Sequence, residues 1–403
     1  MQIKLEKGLL IGTFLHGTLL LILTFYWLSL PNIYSDEAFF IKWTSLIKKS
    51  VFQIDPKPNP SEVLFIDISS NKAVVPIQNE FDELSDWHRK VIVDRHHLGR
   101  LLEVIEPYKD RVKHVFMDVL FEEKSPHDSF FIQKASAFKD KLLISARIDK
   151  QGNYHPPLID VPSAVSTYET SQGLFLKYRL KFQDSLSTGP LTLLQRLDGA
   201  QVERKYGVNW VNGALALPTP IVDLKVRPKD FQISNTLNSE TFAVHKLGTL
   251  LELAEFMDAT DIEDFFVDKL IILGDFDNQT HNTVFGSMSG PLIFYNSYLT
   301  LKGDAYLVKM GWVLFMLVCY WFLSHVCFGG VKIKWNYRFF KPQKEWLEET
   351  INESIILVVI TVLSYALFGI HINILIIIVY LTVVTYLWQL LTKKKQPKKA
   401  TDE

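Results

Sequence analysis

Apolar positions in this chain fall into two regimes. Residues 8–28 form an uncharged apolar run, and 308–328, 354–370 and 372–391 form three more apolar runs, whereas the stretch between the first and second mixes apolar and charged positions at short range. A hydrocarbon core ~30 Å thick takes roughly 20 apolar residues as a helix, so the runs predict four transmembrane helices. The last two are separated only by a turn at Gly369, Ile370 and His371, which predicts a hairpin. The first run is too long for the apolar core of a secretory signal peptide, and no small-x-small cleavage pattern precedes Pro31, so it predicts an uncleaved anchor.

Between the first two runs, strands and helices alternate. Residues 62–68 (EVLFIDI) are a short β-prone run bounded by Pro60 and Ser69 and predict the first strand. Asp94 suits a helix N-cap, and Leu98, Leu101, Leu102 and Ile105 share one face before Pro107 stops the helix. Residues 112–121 (VKHVFMDVLF) follow as a strand, which makes a βαβ unit with a right-handed crossover. A helix over 128–138 and a strand over 141–148 repeat the step. Later, 241–256 has helical spacing, and 269–274 (KLIILG) reads as a strand buried within an α/β sheet. Residues 167–234 are less regular, with β-prone pieces at 174–180 and 213–217 around a short helix near 191–197, and predict a β-rich elaboration. The expected fold class is thus an α/β domain with a mixed, largely parallel sheet and flanking helices, plus an α-helical membrane region of four transmembrane helices.

Basic residues then orient the spans, because cytoplasmic flanks retain Lys and Arg. Lys4 and Lys7 precede the first span; Lys332, Lys334, Arg338, Lys341 and Lys344 follow the second; Lys393, Lys394, Lys395, Lys398 and Lys399 follow the fourth. The turn between the third and fourth has neither Lys nor Arg. These clusters fall on one side if the chain crosses four times. The expected layout is a cytoplasmic N-terminus and anchor over 1–30, an extracytoplasmic domain over 31–305, a second span over 306–330, a basic cytoplasmic loop over 331–353, a hairpin of spans over 354–391 and a Lys-rich cytoplasmic tail over 392–403. Both termini would be cytoplasmic, in a multi-pass protein of the inner membrane.

A hydrophobic content of 48% is near ordinary, its excess lying in the spans, and a formal net charge of -1 gives no sign of nucleic-acid binding. Cys319 and Cys327 both lie in the second run, so the outer domain has no disulfide framework, Cys-based metal site or cysteine nucleophile. His16, Ser324, His325 and Asn373 are intramembrane polar residues, expected to make packing contacts between spans.

The layout and several short motifs resemble the CHASE2 family of bacterial extracytoplasmic sensory domains. EVLFIDIS, residues 62–69, resembles that family's strand ending in an aspartate. Asp94-Arg95-His96-His97-Leu98 with Leu101-Leu102 is similar to its R-x-x-L-x-x-L-L helix, FMDVLF at 116–121 to its F-D-I-L-F strand, and Asp128 to the acidic residue that opens the next helix. The segment over 270–300, with ILGDFDNQTHNTVFGSMSGPLIFYNSYLT, resembles its closing block. The resemblance covers roughly 62–303, and 168–234 departs from it. It implies sensing outside the membrane and signalling inside it. Only a dozen or so residues follow the last run, so the expected output comes from a separate protein.

The candidate ligand or interaction residues are Asp67, Asp118, Asp275, Asp277, His281 and Thr283. Asp67 and Asp118 lie at or near the ends of adjacent predicted strands, where α/β folds present ligand crevices; capping of helix N-termini or accepting backbone hydrogen bonds is the stronger account of them. Asp275, Asp277, His281 and Thr283 form the densest polar cluster, which a loop built on Asx turns and closed by Gly286 also explains. His96 and His97 point about 100° apart on a helix and make a poor metal pair. No G-x-S-x-G elbow, P-loop, H-E-x-x-H or G-x-G-x-x-G motif occurs, and Met288 holds the nucleophile position of Gly286-Ser287-Met288-Ser289-Gly290. No catalytic activity, cofactor or metal is expected. The expected partners are the lipid bilayer, an output protein, a small ligand and a second copy of the chain; the alternative is a structural scaffold subunit of an envelope complex.

Overall fold

The computed structural model describes residues 2–3, 7–30, 35–50, 53, 57–76, 89–183, 185–232, 241–328, 331–332 and 345–393. Lys4, Lys334, Arg338, Lys341, Lys344, Lys394, Lys395, Lys398 and Lys399, on which the expected topology leans, lie outside them, as do the end of the 167–234 segment and residues 394–403 of the expected tail.

Helix α1 (Lys7–Leu28) is the first apolar run, and α2 (Ser35–Ser50) leads from it towards the domain. The domain is built on an eight-stranded sheet: β1 (Val63–Asp67), β2 (His114–Leu120), β3 (Leu142–Ile148), β4 (Tyr154–His155), β5 (Ser163–Val165), β6 (Phe231–Gln232), β7 (Phe242–Lys246) and β8 (Leu270–Gly274). Its order is β6-β7-β1-β8-β2-β3-β4, with β5 also paired to β3. All pairings are parallel except β3 with β4. The sheet is therefore mixed and largely parallel, as its near-continuous apolar strands require.

Helices cover both faces. On one side lie α3 (Arg95–Ile105), α4 (Asp128–Ser136), α6 (Leu247–Ala254) and α7 (Ala259–Phe266), against Leu64, Ile66, Val115, Met117, Ile144, Ile271 and Leu273. On the other lie α5 (Gly189–Asp198) and α8 (Gly290–Lys302), against Phe65, Phe116, Leu143 and Ile272. Alternate residues of each strand thus feed opposite cores. Asp94 caps α3, its Oδ1 accepting from the His96 amide at 2.8 Å, while Leu98, Leu101, Leu102 and Ile105 are buried on the sheet. Helix α8 is apolar nearly all round and is buried from Gly290 to Leu301, with Phe294 stacked on Phe116 at 3.6 Å between ring centroids.

Two expectations needed correction. Residues 241–256, expected to be helical, split into β7 and α6, because the helical spacing of Leu247, Leu250 and Leu251 begins only after the strand. Asp67 and Asp118 do not end adjacent strands: β8, more than a hundred residues downstream, inserts between β1 and β2.

The less regular middle holds a four-stranded antiparallel sheet of Val202–Lys205, Val208–Val211, Ala214–Ala216 and Leu307–Val308. Its last strand runs straight into α9 (Met310–Cys327), so the domain and the helix bundle share a sheet edge. Helices α10 (Glu345–Phe368) and α11 (Ile374–Lys393) complete the bundle, joined by a turn in which Gly369 adopts φ +74. Among the described residues three helices, Lys7–Leu28, Met310–Cys327 and Ile351–Phe368, are long and apolar enough to cross a membrane; residues Ile374–Trp388 of α11 form a shorter apolar helix. Helix α1 packs closely on α9, where a Cβ on Gly17 would meet the Trp321 backbone nitrogen at 2.8 Å. His16 bonds to Ser324 at 2.8 Å and Tyr380 at 3.2 Å, bridging α1, α9 and α11. Gln2 and Ile3 pair antiparallel with Lys332 and Val331, which sets the start of α1 and the segment after α9 at the same end of the bundle.

Candidate functional site

The carboxyl ends of the central strands hold the polar side chains. Helix α3, which follows β1, packs on one face of the sheet, and α8, which follows β8, on the other, so the chain diverges between these two neighbours. In open α/β sheets a crevice forms at such a point.

Asp67, the last residue of β1, is buried and ties two loops together. Its Oδ1 accepts from the amides of Ser69 at 3.0 Å and Phe276 at 3.1 Å, and its Oδ2 lies 2.6 Å from the Ser69 hydroxyl. That hydroxyl is also 3.0 Å from Asp277 Oδ2, so one proton serves two carboxylates. Asp275 is buried behind them, accepting from Lys72 Nζ at 3.0 Å and from the Asn278 amide at 2.8 Å. Burial pushes the Asp275 pKa up, but the Asn278 amide and the Lys72 ammonium prevail and hold it below the usual carboxylate value.

Asp118 forms a second group on the far side of β8. It lies where the β2–β3 register shifts, between Met117 and Leu120. Its carboxylate accepts from the Ser145 hydroxyl at 2.7 Å and the Tyr168 hydroxyl at 2.8 Å. Burial pushes its pKa up to about 6 despite these two bonds. Close backbone approach makes room for it: a Cβ on Gly290 would sit 3.1 Å from Asp118 Oδ2, and one on Gly274 would run into Pro291. His281, on the hairpin of Thr280–Thr283 with Gly286–Ser289, lies against Tyr168 at 5.1 Å between ring centroids, and burial lowers its pKa. Thr283 closes that hairpin, its hydroxyl donating to the Gly286 carbonyl at 2.7 Å.

The six sequence-predicted residues therefore separate. Asp67, Asp275 and Asp277 belong to one network, Asp118 and His281 meet through Tyr168, and Thr283 shapes the turn. Ser69, Lys72, Ser145 and Tyr168 were missed by the sequence reading. Ser145 carried a usable signal, a polar residue near the end of an apolar strand in line with Asp118; Tyr168 carried none. His97, whose Nδ1 is 2.8 Å from Asp94 Oδ2, belongs to the α3 cap.

A cavity of about 580 Å³ opens beside the first network, over the ends of β1 and β7. Its lining combines apolar side chains, Phe231, Val244, Leu250, Phe276 and Leu292, with polar ones, Asp67, Lys246, Asp277, Thr280, Ser287 and Ser289. Its volume lies within the range of small-molecule sites, and so does this division of its lining. No group of His, Cys, Asp and Glu suited to a metal ion occurs among the described residues. No protein-family model, no curated protein and no solved structure matches this chain.

Proposed function

We propose that this chain is a multi-pass membrane protein whose extracytoplasmic α/β domain, of CHASE2 type, binds a small amphipathic ligand and conveys its occupancy to the spans. The observation that carries this reading is the cavity at the carboxyl ends of β1 and β7, lined by the carboxylates of Asp67 and Asp277 together with aromatic and aliphatic side chains. The apolar body of the ligand rests on Phe231, Val244 and Phe276, and its hydrogen-bond donor or cationic group meets Asp277, whose carboxylate shares the Ser69 proton. Helix α8 begins beside this cavity and leads through Leu307–Val308 into α9, which gives a continuous route for a displacement.

In the same reading α11 is the fourth span, both termini are cytoplasmic, the membrane is the bacterial inner membrane, and output comes from a separate protein. The flanking basic clusters support the orientation. A reporter that is active only outside the cytoplasm should stay inactive when fused after Glu403; activity there would overturn this topology.

The binding step is tested on the intact, detergent-purified protein by thermal unfolding against fractionated small-molecule extracts. A ligand at 100 times its Kd adds about 2.7 kcal/mol of stability. The reading predicts a fraction that raises the melting temperature of the wild type and leaves Ser287→Trp, in which the cavity is filled, unmoved. A shift of equal size in both proteins, or no shift with any fraction, contradicts it.

A further inference from the structure

Helix α2 carries its apolar residues on the wrong side for a helix in water. One face is packed inside the protein: Glu37, Ile41, Thr44 and Ser45 are buried, and Ile41 contacts Leu176. The opposite face presents Phe39, 58% exposed, Trp43, 54% exposed, and Ile47, 40% exposed, at successive four-residue steps along one stripe. A surface helix normally turns its polar side outward. Here the outward side is aromatic and aliphatic, flanked by the exposed Lys42.

The position of the helix identifies what covers this stripe. Phe40 lies 6.4 Å from the His371 ring in the turn between α10 and α11, and Lys48 Nζ lies 5.6 Å from the Tyr365 ring near the end of α10. On its other side Lys49 pairs with Asp223 at 3.4 Å, and Glu37 with Lys177 at 2.8 Å, both in the domain. Helix α2 is therefore held at the level where the bundle ends and the domain begins. The two helices it adjoins expose apolar side chains as well, including Leu363 and Leu367 of α10 and Leu375 and Val379 of α11.

We infer that α2 is an interfacial helix, lying in the headgroup and acyl boundary of the leaflet on the domain side, with Phe39, Trp43 and Ile47 inserted into phospholipid. Trp43 occupies the level favoured by indole rings, and Lys42 reaches the headgroups on its flexible stem. The inference rests on the reading of α1, α9 and α10 as membrane-crossing helices, and its test separates the two.

The full chain, with Cys319→Ala and Cys327→Ala, is reconstituted in phospholipid nanodiscs and nitroxide-labelled in turn at Trp43→Cys, at Leu15→Cys in α1 and at Tyr206→Cys on the domain surface. Accessibility to oxygen and to a nickel chelate is then compared. The expected result is an oxygen-to-nickel ratio at 43 several-fold above that at 206 and approaching that at 15. A ratio at 43 equal to that at 206, with 15 still reading lipid, overturns the interfacial helix and leaves the spans standing. A label at 43 shielded from both reagents means a protein neighbour and also overturns it. If 15 reads water as well, both readings fail. Unmodified protein gives a second measurement: a diazirine-bearing phospholipid should leave adducts on 39, 43 or 47, and adducts on the spans with none on 35–50 contradict the proposal.

Discussion

Lys177 and Glu37 meet at 2.8 Å with both side chains almost wholly buried, joining the domain to α2 just outside the bundle. Breaking a buried pair from one side leaves an uncompensated charge, which costs roughly 3–5 kcal/mol. Lys177→Met should therefore lower the unfolding free energy by that amount in chemical denaturation, and the double variant Lys177→Met with Glu37→Gln should recover most of it. Asp118 sets a different test. Its folded pKa of about 6 lies above the ordinary 3.8, so the folded state holds a proton that the unfolded state releases. Stability contributed by this group is full below pH 4, falls as pH rises from 4 to 6 and is level above that. Asp118→Asn should remove that decline, measured as unfolding free energy against pH. The Lys177 and Tyr168 contacts were not legible in the sequence, because both residues reach their partners only through tertiary structure.

Elements were legible where local patterning alone dictates them. The strands at 62–68, 112–121, 141–148 and 269–274 and the α3 cap were placed within a residue or two, since apolar runs and N-cap chemistry are written locally. Strand β7 was not, because His245 and Lys246 interrupt it and the helical spacing of α6 follows without a break. The hairpin of Thr280–Thr283 with Gly286–Ser289 is polar and is formed by backbone pairing, so no apolar periodicity marks it. Helix α2 escaped notice because its apolar residues occupy both faces. Asp94→Ala should destabilise the domain by about 1 kcal/mol, through the lost cap. Asn296 is the sharper element-level test. Within α8 its side chain accepts from the Val226 amide at 2.9 Å and donates to the Val226 carbonyl at 2.8 Å, pinning the segment before β6 to the helix. Asn296→Ala leaves both backbone groups buried without that partner and should cost roughly 2–3 kcal/mol in denaturant unfolding.

At the scale of the whole molecule, the sequence pattern separated a group of long apolar helices from an α/β domain, but did not show how they join. The order β7-β1-β8-β2-β3 places the last central strand between the first two, and that insertion builds both polar groups at the carboxyl edge. Helix α8 then passes through the core and enters α9 by way of Leu307–Val308, while the Thr219 hydroxyl lies 3.2 Å from the Leu28 carbonyl at the end of α1. Cavity, core helix and two long apolar helices thus form one connected path. The central claim is that the cavity holds a small molecule, and native mass spectrometry of the intact protein released from its own membranes tests it most directly. The expected result is a non-covalent small-molecule adduct on the wild-type chain that is missing from Ser287→Trp. An identical set of adducts on both proteins, or a bare polypeptide mass for the wild type, would contradict it.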